Sequence, residues 1–99
     1  MLHTVNKSPF GNSALEACLN HAKPGSAVLL IEDGVYAATT GTAVAERLQD
    51  AIKSTPIYAL KADVDARGMQ NRLLEGIKLV DYSGFVDLVA EHNTVQSWL

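Results

Sequence analysis

The chain has a single cysteine, Cys18, among its 99 residues. One cysteine cannot form a disulfide within the chain, so we expect the fold to be held by its core in a reducing compartment. No apolar run approaches the ~20 residues that cross a bilayer. The start, Met1–Thr4, lacks the charged and apolar segments of a secretion signal. These absences predict a cytoplasmic protein without a membrane segment.

Charge is also scarce. Charged residues make up 19% of the chain and the net charge is -3, whereas typical domains are about 25% charged. The basic residues are scattered, so we expect no direct binding of nucleic acid, which usually requires a basic patch. Hydrophobic residues make up 47%. Because a chain of this size has room for only a modest core, the apolar surplus predicts an interface with other subunits.

The strongest positive signal is the unbroken apolar run at 27–31. A run without alternation is typical of a strand covered on both faces, as in a parallel sheet between helices. It ends at Glu32, Asp33 and Gly34, where two carboxylates must bring the chain to the surface. The run therefore predicts the central strand of the fold, with a turn or a site at its carboxyl end.

Other strands and helices are predicted to alternate along the chain. Strands are expected at 2–5, 57–60 and 77–80 and, as an edge strand, within 94–99; helices at 13–22, 42–53, 63–67 and after 84. This alternation predicts an α/β fold with a mostly parallel sheet of four to five strands. We expect residues 1–99 to form one domain.

Cys18 lies in the first predicted helix. Ser13 and Glu16 fit a capping box, with Ser13 as the N-cap. Leu15, Cys18 and Leu19 then follow the spacing of one apolar helix face. Burial among apolar side chains raises the pKa of a thiol and makes it inert. The residues alone favour a structural cysteine over a reactive one, and both alternatives stay open.

Glu32 and Asp33 are candidates for an acid/base pair or for cation ligands. Adjacent residues of a strand point to opposite faces, so they would share a site only if the turn reoriented one of them. A turn is the favoured reading, in which a carboxylate accepts backbone N–H bonds. We expect Gly34 to sit in a turn that other residues fit poorly, as they would if its φ were positive.

The three histidines do not show the spacing of metal ligands. His92 is expected at the end of the last helix, where an imidazole can face the negative end of the helix dipole. The loop at 8–13 follows the first strand, where phosphate-binding α/β proteins hold their ligand, but it lacks a dense glycine pattern. We expect no metal and no cofactor.

The end of the chain carries its only tryptophan, Trp98, between Val95 and Leu99. Tryptophan is enriched at the energetic centres of protein interfaces. We therefore predict that Val95, Trp98 and Leu99 pack against another subunit. The alternative is a frayed terminus.

Five segments, in order, resemble the DsrH/TusB family. They are Met1–Phe10, Leu29–Ala38, Asp65–Gly68, Val80–Leu88 and Thr94–Leu99. The resemblance spans essentially the whole chain. The opening segment and Cys18 look closer to DsrH than to TusB.

The resemblance implies a three-layer α/β/α fold and a place in a heterohexamer with DsrE/TusD-like and DsrF/TusC-like subunits. Such complexes carry sulfur as a cysteine persulfide to a DsrC/TusE-type acceptor, in oxidation of stored sulfur or in 2-thiolation of a tRNA wobble uridine. The principal persulfide cysteine belongs to the DsrE or TusD subunit. The resemblance thus implies a mainly structural, partner-shaping chain. One alternative is that Cys18 itself carries a persulfide. Another is a stand-alone domain that binds a small ligand at its strand-end loops.

Overall fold

The computed structural model describes residues 1–99, which fold around a five-stranded sheet in which all neighbouring strands are parallel. The strands are β1 (Leu2–Val5), β2 (Ala27–Leu30), β3 (Ile57–Leu60), β4 (Lys78–Val80) and β5 (Val95–Trp98). Their order in the sheet is β4-β3-β2-β1-β5. Every residue of β2 is buried, which confirms the apolar run as the central strand.

Helices connect the strands and cover both faces of the sheet, as the predicted three-layer fold requires. They are α1 (Ala14–His21), α2 (Ala45–Ile52), α3 (Lys61–Ala66) and α4 (Tyr82–Glu91), with a 3₁₀ helix at Glu32–Ala38. The longest has ten residues, and none of them could span a bilayer.

One face of the sheet, here called the major face, carries most of the core. Alternate side chains of the inner strands, such as Val28 and Leu30, point to this face and pack against α1, the 3₁₀ helix and α2. The cluster holds sixteen buried residues, among them Cys18 and Leu48. The apolar stripe predicted for the first helix is therefore confirmed.

The opposite face, here called the minor face, is covered by α4 alone. The chain leaves β4 at one edge of the sheet and returns as β5 at the other edge, beside β1. The four buried residues on this side are Leu2, Ala27, Leu29 and Leu88. Of the residues of α4, only Leu88 is buried.

The start of α1 differs from the predicted capping box. Ser13 has a nearly helical backbone and its side chain makes no capping bond. Asn12 Oδ1 instead accepts a hydrogen bond from the backbone N–H of Ala14 at 2.7 Å. Glu16 forms an ion pair with Arg47 of α2 at 3.2 Å. The acidic residue thus joins two helices of the major face and does not close a cap.

Candidate functional site

At the carboxyl end of β2, Asp33 is paired with a residue that the sequence analysis had not singled out as its partner. Arg67, just after α3, donates to Asp33 Oδ1 from Nε at 3.1 Å and from Nη2 at 2.9 Å. The hydrogen bond to Asp33 raises the pKa of Arg67. β2 and β3 are parallel neighbours, so the segments after them meet at one edge. That adjacency is the signal that could have predicted the pair.

Glu32 does not share a site with Asp33. Its backbone N–H donates to Asp63 Oδ2 at 2.7 Å, so Asp63 is the carboxylate that accepts a backbone bond in this turn. The Glu32 side chain is exposed and lies 3.5 Å from Asn6 Nδ2. The arrangement ties α3 to the turn and leaves no acid/base pair.

Gly34 lies where the 3₁₀ helix passes the end of β1. A Cβ atom built on Gly34 would be 2.1 Å from the carbonyl oxygen of Val5. Other residues would therefore fit poorly here, as the sequence predicts. The φ of Gly34 is not positive; the positive φ in this turn belongs to Glu32, at 50°. Glycine is required at this position because two backbone segments approach each other closely, not because of its φ angle.

Cys18 is completely buried in the major-face core. Removal from solvent raises the pKa of its thiol to about 12. A thiolate is the species that attacks a sulfur donor, and its fraction at neutral pH is negligible at such a pKa. Cys18 and the strand-end turn are separate features, and the fold does not combine them into a site.

Residues that are far apart in the sequence meet beside the paired strands β1 and β5. Trp98 of β5 donates from Nε1 to Nδ1 of His3 at 3.1 Å. The ring of His21, at the end of α1, lies 5.5 Å from the Trp98 ring between centroids. These side chains border a cleft of about 420 Å³, lined also by Met1, Lys23, Ser26 and Gln96. The sequence could not reveal it, because it depends on β5 lying beside β1.

The predicted tail is an ordered edge strand. β5 pairs with β1, and Trp98 packs partly into the domain's own core. Val95 and Leu99 remain exposed, Leu99 at 79%. Trp98 therefore packs within its own subunit. Val95 and Leu99 are exposed and could contact a partner.

Two of the three histidines contact backbone carbonyl oxygens at helix ends. His92 Nδ1 is 2.8 Å from the carbonyl oxygen of Leu88 at the end of α4, as the helix-end position predicts. His21 Nδ1 is 2.9 Å from the carbonyl oxygen of Ala17 in the same way. No three His, Cys, Asp or Glu side chains are grouped so that they could hold a metal ion.

Comparison with known structures supports the fold. The YchN protein from E. coli superimposes with a TM-score of 0.80 at 17% identity, over 97% of each chain. A protein of Thermotoga maritima, solved by NMR, gives a TM-score of 0.64 at 25% identity, over 95% of this chain and 97% of that one. The likeness to YchN shows the α/β fold alone.

Comparison of sequences identifies the family. The family model described as DsrH like protein matches residues 7–95. Protein TusB of Pectobacterium carotovorum is 39% identical, and that of Enterobacter sp. 40% identical, each over 99% of this chain and 100% of the relative. The finer expectation that the chain is closer to DsrH stays a prediction. The family model and these full-length relatives show that the chain belongs to the DsrH/TusB family of sulfur-relay subunits.

Proposed function

We propose that residues 1–99 form a structural, partner-shaping subunit of a heterohexameric sulfur-relay complex. Its neighbours would be DsrE/TusD-like and DsrF/TusC-like subunits. The observation that carries the non-catalytic role is the burial of Cys18, with its thiol pKa raised to about 12. Because this is the only cysteine, the persulfide would travel on the partner subunits.

We propose a DsrC/TusE-type protein as the sulfur acceptor. The full-length relatives described above are TusB proteins. Their name favours 2-thiolation of tRNA over oxidation of stored sulfur. Genes for a dissimilatory sulfite reductase beside this one would contradict that preference.

The minor face offers a surface for assembly. Tyr82 and Val86 are 64% and 65% exposed, and Val89 is also exposed. These three residues, here called the α4 stripe, follow one side of the helix at i, i+4 and i+7. Val95 lies on the same face of the sheet, opposite Leu2. We propose that a neighbouring α/β subunit covers the α4 stripe together with Val95 and Leu99.

Co-expression with the two partner subunits tests the assembly. Val86→Lys should abolish the complex in size-exclusion chromatography with light scattering, because it places a charge in an apolar contact. Asp87→Lys, at the next exposed position of the same helix, is the matched control and should leave the complex intact. Formation of the complete complex by the Val86→Lys variant would contradict the proposed surface. A wild-type chain that stays a stable monomer in the presence of both partners would favour the stand-alone alternative.

Sulfur loading tests the role of Cys18. Cys18→Ala should retain most relay activity to the acceptor, and mass spectrometry after incubation with a persulfide donor should find no added sulfur on the wild-type chain. Alkylation at neutral pH should be roughly a thousandfold slower than for an ordinary thiol, since the thiolate fraction falls tenfold per pKa unit. Rapid, stoichiometric sulfur addition at Cys18 would reverse the assignment.

A further inference from the structure

The cleft beside β1 and β5 has donors but no acidic side chain. Lys23 is exposed and forms no salt bridge, and the other lining residues carry no carboxylate. At about 420 Å³, the cleft falls within the usual size of small-molecule sites, roughly 300–1,000 Å³. Its charge balance therefore suits an anion.

Two polar side chains of the cleft are more than nine-tenths buried, and each has a hydrogen-bonding group without a partner in the protein. His3 is 4% exposed and Ser26 is 7% exposed. Because His3 Nδ1 accepts from Trp98, the neutral ring carries its proton on Nε2, which has no partner in the protein. The Ser26 hydroxyl also has none. Only Asn6 Oδ1 and Thr42 Oγ1 are both shielded from solvent and without a hydrogen-bond partner. His3 Nε2 and Ser26 Oγ are therefore not shielded, and both residues line the cleft.

We propose that this cleft binds a small molecule carrying a phosphate-like or sulfate-like oxyanion. Lys23 supplies the charge, and His3 Nε2–H and Ser26 Oγ–H donate hydrogen bonds to the oxyanion. The rings of Trp98 and His21 form the neighbouring wall. The proposal does not rest on the relay function, since every group belongs to this chain.

The electrostatics of His3 agree with this assignment. Burial lowers the pKa of His3, and the positive charges of the α-amino group and of His21 lower it further. His3 is thus a neutral donor at neutral pH, and the exposed cation Lys23 lines the same cleft. A bound oxyanion would compensate the charges that this cluster leaves unbalanced.

The only tryptophan of the chain lines the cleft, so its fluorescence reports on occupancy. The full-length chain is titrated with inorganic phosphate and with sulfate, against chloride at equal ionic strength. We expect a saturable change with an oxyanion and none with chloride. Lys23→Gln should weaken binding about tenfold, the usual size of a charge-assisted contact. Lys53→Gln, at an exposed lysine beyond α2, should bind as the wild type does.

Ser26→Ala provides a second variant that removes one donor without touching the charge. It should weaken the oxyanion response while circular dichroism shows an unchanged fold. Equal responses to chloride and oxyanions, or a response that survives both Lys23→Gln and Ser26→Ala, would overturn the proposal. A Trp98 fluorescence that does not respond to anions and changes only when partner subunits are added would also overturn it, because the cleft would then be an interface.

Discussion

The two faces of the sheet are covered very unequally. Sixteen buried residues form the core of the major face, whereas four form that of the minor face. The major face contains the only cysteine, Cys18, whose thiol is completely buried and has a raised pKa. The minor face exposes apolar side chains of α4. The comparison teaches that the major face contributes most of the buried core, whereas the minor face leaves apolar surface for the assembly proposed above.

The largest losses in the free energy of unfolding should come from replacing a buried leucine on either face. Leu48→Ala in α2 should cost toward the upper end of about 2–5 kcal/mol, and Leu88→Ala in α4 toward the lower end. Both side chains are buried, but Leu48 belongs to the larger cluster. Urea unfolding of the isolated chain measures both. Equal losses for the two variants would contradict the expectation that the major face contributes more to stability.

Gly34→Ala should cause the next largest loss of stability. The new Cβ would meet the Val5 carbonyl oxygen at 2.1 Å, so the 3₁₀ helix must move away from β1. We expect a loss near the top of the overpacking range of about 1–3 kcal/mol. Gly11→Ala is the matched control, because a Cβ there would meet nothing within 4 Å. Similar melting temperatures for the two variants would contradict the close approach.

A smaller effect is expected from Asp33→Asn at the carboxyl edge. Arg67 keeps its contact with the backbone carbonyl of Asp63 at 3.2 Å, and Asp33 is exposed. The ion pair should therefore contribute less than about 1 kcal/mol. Stability should fall slightly and lose part of its salt dependence in thermal melts. A loss comparable to that of Gly34→Ala would mean that the pair does more than hold the turn.

The smallest change should appear in the pH dependence of stability. Because the folded pKa of His3 is lowered, the unfolded chain binds a proton first as the pH drops below about 6.5. Stability should thus be complete above that pH and should decline with further acidification. Protonation of Nδ1 would also remove the bond from Trp98. His3→Gln should flatten this part of the profile, and an unchanged profile would assign the acid sensitivity elsewhere.

The strands were the most predictable elements. The apolar runs place β1 and β3 with their observed bounds and β2 within one residue, because buried parallel strands leave a strong local pattern. The order of those strands was not predictable. Nothing in the composition of 95–98 says that it pairs with β1, and for that reason the cleft around His3 and Trp98 was missed.

Local rules failed where tertiary contacts decided. Ser13 and Glu16 satisfy the capping pattern, but Asn12 makes the cap and Arg47 takes the carboxylate. Gly34 was expected in a turn that other residues fit poorly, and the constraint comes from Val5, far away in the sequence. The partner of Asp33 depends on how α3 packs. Gly34 and Asp33 were singled out correctly, and the reason for each lay outside the segment that contains it. At the start of α1 the pattern named Ser13, whereas Asn12 accepts the hydrogen bond.

The position of β5 also determines the order in which the fold can be completed. β1 is made first during synthesis, but one of its two neighbours is the last strand of the chain. Closing so long a loop is slow, because its entropy is lost before the contact is gained. We therefore expect the edge of β1 to stay unpaired until β5 has been synthesised and can reach it. Tryptophan fluorescence during refolding should follow this final closure, after the inner strands have already formed.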